Sequence, residues 1–364
     1  MESSATARRD RLKARHRRTR ALGRLLYRRY SRQFWTLHSV WALLTGGVVL
    51  VLSHNRYGYL PWVVLFLALT WASTLFFSRV ALETGSRRAR LAHGVVSYIT
   101  RVMYQETLFF LLPFYFYSTT FPSWNSFYVI GLALLAVLSC FDIVFDRLLR
   151  RSRAFSLAFF AIVTFSALQF FLPLLLHVRI HNGAYLAAGL SFFGAMPLAF
   201  ASGEARQPKR IVAIVLALAA IVGVLKLARV VVPPVPLRLW DMHFGPDLDA
   251  KTMQMSREFP ATVRAADLPS GRLYVRATIF SPGRLPVSIQ LQFFRNGRLL
   301  RTSRTLDLVA HNRGFRVWDA LRGGPGGVAP GRYTVEAWTG EGQIVGRGAI
   351  VVLPNGGAAS APRR

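Results

Sequence analysis

The 364-residue sequence predicts an α-helical integral membrane bundle of seven transmembrane helices followed by an all-β, immunoglobulin-like sandwich. Three observations predict it. Seven long apolar stretches fall within the first 231 residues, Lys and Arg are unevenly shared among the segments between them, and from about residue 238 continuous apolar runs give way to alternation. Composition excludes simpler classes. The chain has 46 Lys and Arg against 16 Asp and Glu, a formal net charge of +30, yet 52% of its residues are apolar. That mixture rules out a disordered charged tail and speaks against an ordinary soluble enzyme. A single cysteine, Cys140, excludes a disulfide scaffold and a cysteine zinc site.

Crossing a hydrocarbon core of about 30 Å takes roughly 20 apolar residues as helix, because a helix satisfies its own backbone groups in lipid. The qualifying stretches are 34–53, 60–79, 102–120, 127–146, 155–177, 184–203 and 211–231, the third bordered or interrupted by Arg101, Glu106 and Pro113. Lys and Arg number 24 in the leader and in the connections 79–101, 147–153 and 204–210. The alternate connections HNRYGY, TTFPSWNS and RIHN hold only Arg56 and Arg179. This loop-by-loop alternation is the positive-inside pattern; it predicts a bacterial inner-membrane protein with a cytoplasmic amino terminus and a periplasmic carboxyl terminus. Residues 1–33 then read as a basic cytoplasmic leader lying on anionic lipid. Clustered Arg and Lys in RRDRLKARHRRTR could also bind phosphates, but a membrane span comes directly after them, so no nucleic-acid partner is expected. The leader is too long, and the apolar run after it too extended, for a cleaved signal peptide.

At residues 232–237 the prolines Pro233, Pro234 and Pro236 end the last helix and predict a stiff, extended connector. Residues 238–354 read as the sandwich. In RLYVRATIF, Leu273, Val275, Ala277 and Ile279 share one face; in VSIQLQF, Val287, Ile289, Leu291 and Phe293 do. Asn296 and Gly297 supply the two positive-φ positions of a type I′ hairpin. GRYTVEAW and QIVGRGAIVV form a last hairpin around TGEG, giving seven or eight antiparallel strands in all. Residues 355–364 read as a disordered tail.

Chemistry-bearing candidates are few. Carboxylates within spans are costly in lipid and are functional candidates for that reason. Glu106 lies five residues past Arg101, and Asp142 five residues before Arg147, so the two reach similar depths and could face each other. With Gln105 and Asp146 they form a candidate intramembrane polar site for a proton or cation. The competing reading is a structural ion-pair network with Arg101 and Arg147 at the cytoplasmic interface. His177 and His181 in HVRIH have the helical spacing for one metal ion, but nothing specifies a third ligand, so no metal is expected. No cofactor motif is present: P-loop, GxSxG, HExxH and Rossmann glycine patterns are all missing. In the sandwich, Tyr333 alternates inward, whereas Trp338 alternates outward and is the candidate partner-binding surface. Aligning Pro113 with Pro173 pairs LFFLLPF with LQFFLPL, a short internal repeat.

The segments QETLFFLLPFYFYS and LLAVLSCFD, with FRVWDAL and PGRYTVEAWTGEGQIVGR, resemble a family of bacterial polytopic inner-membrane proteins of unknown function. The resemblance covers roughly residues 35–352. It implies an envelope protein with a small carboxy-terminal β-domain and carries over no catalytic residues. The leading functional expectation is a non-enzymatic envelope protein, a helical anchor presenting a β-sandwich to a periplasmic protein, peptide or glycan. The alternative is a proton- or cation-coupled transporter or channel using Glu106 and Asp142.

Overall fold

The computed structural model describes residues 103–199, 208–268, 270–282, 284–309 and 314–355, together with Trp41, Leu44 and Leu69. The basic leader and the stretches expected to span at 34–53 and 60–79, those three residues apart, lie outside the described residues. The helical region comprises α1 (residues 103–117), α2 (Asn125–Cys140), α3 (Asp142–Arg151), α4 (Arg153–Leu176), α5 (Ile180–Ala199) and α6 (Pro208–Ala228).

The expected seven-span bundle is not what these residues form. By length and composition, two helices among the described residues can cross a membrane: Arg153–Leu176, and Ile211–Ala228 within α6. The stretch expected to span at 127–146 is broken at Phe141, whose ψ of 73° stops the helix after Cys140. The remaining 16-residue α2 is about 24 Å long, short of a hydrocarbon core of about 30 Å. Beyond the break the chain continues as the short, arginine-bearing α3. Helix α5 has the length, but His181, Asn182, Ser191 and Pro197 dilute its apolar character.

Aromatic side chains fill the helical core. Phe110 and Phe114 of α1 meet Phe170 and Phe171 of α4, with the Phe114 and Phe170 ring centres 4.5 Å apart. The two copies of the internal repeat therefore pack on each other. Helices α4 and α5 form a hairpin; a β-carbon on Gly183 would stand 2.8 Å from Cγ of Pro173, so this approach admits no side chain there.

The carboxy-terminal region is β-rich: β1 (Arg238–Gly245), β2 (Thr262–Arg264), β3 (Arg272–Phe280), β4 (Ser288–Arg295), β5 (Arg298–Thr302), β6 (Leu306–Asp307), β7 (Phe315–Arg322), β8 (Gly331–Thr339) and β9 (Ile344–Leu353). One sheet runs β1-β3-β7; the other runs β2-β9-β8-β4-β5, with β6 also on β4. The wholly antiparallel immunoglobulin-like arrangement needs correction too, because β2 pairs with β9 in parallel. Both sheets contribute to one core. Leu273, Val275, Ala277 and Ile279 from β3 and Ile289, Leu291 and Phe293 from β4 are completely buried. Asn296 (φ 48°) and Gly297 (φ 82°) form the tight turn between β4 and β5, with Arg295 paired to Arg298.

Candidate functional site

The two regions are joined by far more than a chain crossing. Residues 232–237 are buried throughout, and Val235 sits in the helical core. In return, Ile180 at the start of α5 lies in the β core, and Leu174 packs against both. The proline-rich connector is thus wedged between the regions it joins.

Polar contacts fix the same junction from the β8–β9 hairpin. Gln343, nearly buried, donates through Nε2 to the carbonyl oxygens of Val232 at 2.9 Å and Arg229 at 3.3 Å. These lie just beyond the end of α6, where helical carbonyls run out of amide partners. Asn125 opens α2; its Oδ1 accepts from the amide of Thr120, and its Nδ2 donates to Ile344 O across the junction. Arg347 donates through Nη1 to Pro122 O at 3.0 Å and pairs with Glu336 at 2.6–2.7 Å. Glu336 also accepts from Trp338 Nε1 at 2.9 Å. This buried carboxylate is thus met by one guanidinium and one indole donor. On the other side of the connector, the Arg238 guanidinium lies 4.2 Å over the Tyr117 ring.

These contacts border an open groove of about 500 Å³ between the loop before α2, the end of α6 and the β8–β9 hairpin. Trp124, Phe127, Trp338 and Arg347 supply its large side chains. Trp124 and Phe127 are about two-thirds exposed, unusual for such large apolar groups. The groove combines aromatic faces with one oriented guanidinium, which suits stacking and hydrogen bonding to a ligand. Its serines are engaged within the loop: Ser123 Oγ donates to Asn125 Oδ1 and Ser126 Oγ to Ser123 O.

Of the residues expected to carry function, Trp338 lies in this groove, half-buried rather than on an open face. Tyr333 is in the core, with its hydroxyl donating to Ala329 O. Gln105 is buried in α1 and Glu106 is half-buried beside it. Asp142 and Asp146 belong to α3, after the break at Phe141, on the same helix as Arg147. Their side chains, and the whole of Arg101, lie outside the described residues, while Arg147 is exposed. His177 ends α4 in the left-handed region (φ 52°), and His181 begins α5, so the pair does not share one helix. His181 meets the edge of Tyr185 instead. Among the described residues no group of three or more potential ligands converges on a metal position.

Sequence reasoning missed Gln343, Arg347, Asn125, Trp124 and Phe127. The β8–β9 register places Arg347 opposite the buried Glu336. Trp124 in TTFPSWNS and Phe127 directly after it are the available signal.

A family model for a family of unknown function, DUF5924, matches residues 15–275. The match runs through the helical region and the buried connector and ends within β3, so it covers the junction from the helical side. No curated protein matches the chain. With more than half of its length matched, this chain belongs to that family of unknown function.

Proposed function

We propose that the chain is an envelope protein, held in the bacterial inner membrane by its apolar helices, with the β domain fixed against them as a binding module on the periplasmic side. The groove at the junction binds its partner, a periplasmic protein, peptide or glycan. One observation carries this reading: the groove's aromatic and charged walls come from both regions, and Gln343, Asn125 and Arg347 lock those regions together. A surface preorganised in this way loses little conformational freedom on binding.

Two further features support the membrane placement. Helix α6 is strongly apolar and has no buried residue across Ile211–Ala228, which suits a lipid surrounding better than water. The connections poor in Lys and Arg, TTFPSWNS and RIHN, lie at the β-domain end through Pro122, Asn125 and Ile180. The arginines of 147–153 fall at the opposite end of α4, consistent with a β domain on the periplasmic side.

The test is site-specific photocrosslinking in cells with full-length protein, placing the reactive residue at Trp338 or Phe127 and, as control, at Arg298 on the distant β5 edge. The expected result is a discrete adduct from the groove positions alone, lost in Arg347→Ala. Equal labelling at Arg298, or none from the groove, overturns the assignment.

A further inference from the structure

A second concavity lies away from the junction groove. Helices α4, α5 and α6 diverge around an open cleft of about 740 Å³, within the range of roughly 300–1,000 Å³ typical of ligand sites. Its walls are hydrocarbon: Ala161 and Phe165 from α4, Ala188 and Phe192 from α5, Ala217 and Ile221 from α6. The only hydroxyl-bearing residues of the lining are bonded to protein, Ser191 to Ala187 O at 2.6 Å and Tyr128 to Ser166 Oγ at 2.8 Å. Small alanines keep the space open, and α6 leaves its apolar faces uncovered on either side.

The chemistry changes at the β-domain end. Leu225 lines both the cleft and a small neighbouring cavity bounded by His181, Tyr185, Arg229 and Gln343. Arg229, which bounds that cavity, is exposed, and among the described residues it is not paired with a carboxylate. Hydrocarbon walls ending at a cation complement one kind of molecule, an amphiphile with an anionic head. We propose that the cleft seats an acyl chain of an anionic phospholipid, with its phosphate toward Arg229. The proposal rests on the membrane placement but not on the junction groove.

Full-length protein, extracted in mild detergent and exchanged through fresh detergent, is examined by native mass spectrometry after incubation with phosphatidylglycerol or phosphatidylcholine. The expected outcome is retained phospholipid, with phosphatidylglycerol favoured by about fivefold, the scale expected for one cation near a lipid headgroup. Ala217→Trp, which fills the cleft, should abolish retention, and the milder Ala217→Leu should reduce it while preserving the fold. The variant Arg229→Gln should keep the lipid but lose the headgroup preference. Absence of retained lipid in the parent protein, or retention unchanged in both Ala217 variants, overturns the proposal. Recovery of the chain from cells without detergent instead overturns the membrane placement itself, so the two failures read out separately.

Discussion

Phe293 and Leu216 are both large apolar side chains, yet one is completely enclosed in the β core and the other stands 64% exposed on α6. The contrast holds for the regions around them. In the β domain, alternation puts every second side chain of β3 and β4 into a shared interior, so the strands themselves say which face is covered. From Ile211 to Leu225, helix α6 is apolar all round and carries no such instruction. A sheet face specifies its own burial, whereas a uniformly apolar helix leaves the choice of neighbour to its surroundings.

The largest effect that separates the two belongs to Phe293→Ala, expected to destabilise the β domain by about 3–5 kcal/mol because the cavity cannot drain to solvent. Leu216→Ala on α6, by contrast, should change stability by no more than about 0.5 kcal/mol. Thermal unfolding followed by circular dichroism distinguishes them, and equal effects would erase the distinction between the regions.

The junction comes next. Gln343→Ala leaves the carbonyls of Arg229 and Val232 without their donor and should cost about 1–3 kcal/mol. Hydrogen exchange should show faster opening around residues 225–232 with the β3 and β4 amides unchanged; slower exchange there would mean that the hairpin does not clamp α6. A smaller loss, about 1 kcal/mol, is expected for Gly297→Ala, which forces a β-carbon onto φ 82° in the β4–β5 turn. A matching drop in melting temperature checks it.

The smallest effect concerns the loop from β1 to β2. Hydrogen bonds from the Ser256 hydroxyl and amide hold the Asp247 carboxyl below its usual range, and the Lys251 amide and Thr252 hydroxyl do the same for Asp249. A lowered folded-state value means stability present above the unfolded carboxyl range and lost as pH falls through the lowered values. Protection of the Ser256 and Lys251 amides should therefore persist at neutral pH and fade below about pH 4. Fading on the alkaline side instead would show that other groups control the loop.

Much of the β region could be read in advance because its signals are local. Leu273 through Ile279 and Val287 through Phe293 announce their faces by a period of two, and Asn296-Gly297 fits its turn by backbone sterics alone. The helical stretches announced apolarity but not continuity. Nothing in LLAVLSCFD marks Phe141 as a break, since neither glycine nor proline is there. Half of the groove was legible through Trp338; its opposite wall was not, because Trp124 and Phe127 lie more than 200 positions away and meet it only through folding.

What this sequence determines by itself is the change of regime near residue 233, from apolar helices to alternating strands, together with the inward faces of those strands. Periodicity is a property of neighbours along the chain, and so it survives without a structure. Tertiary structure alone decided that the connector is buried, that Glu336 and Arg347 secure the hairpin to Pro122, and that α4, α5 and α6 diverge around a cleft. Each of those depends on contacts between distant segments, where side-chain volume and unmet hydrogen bonds select the partner.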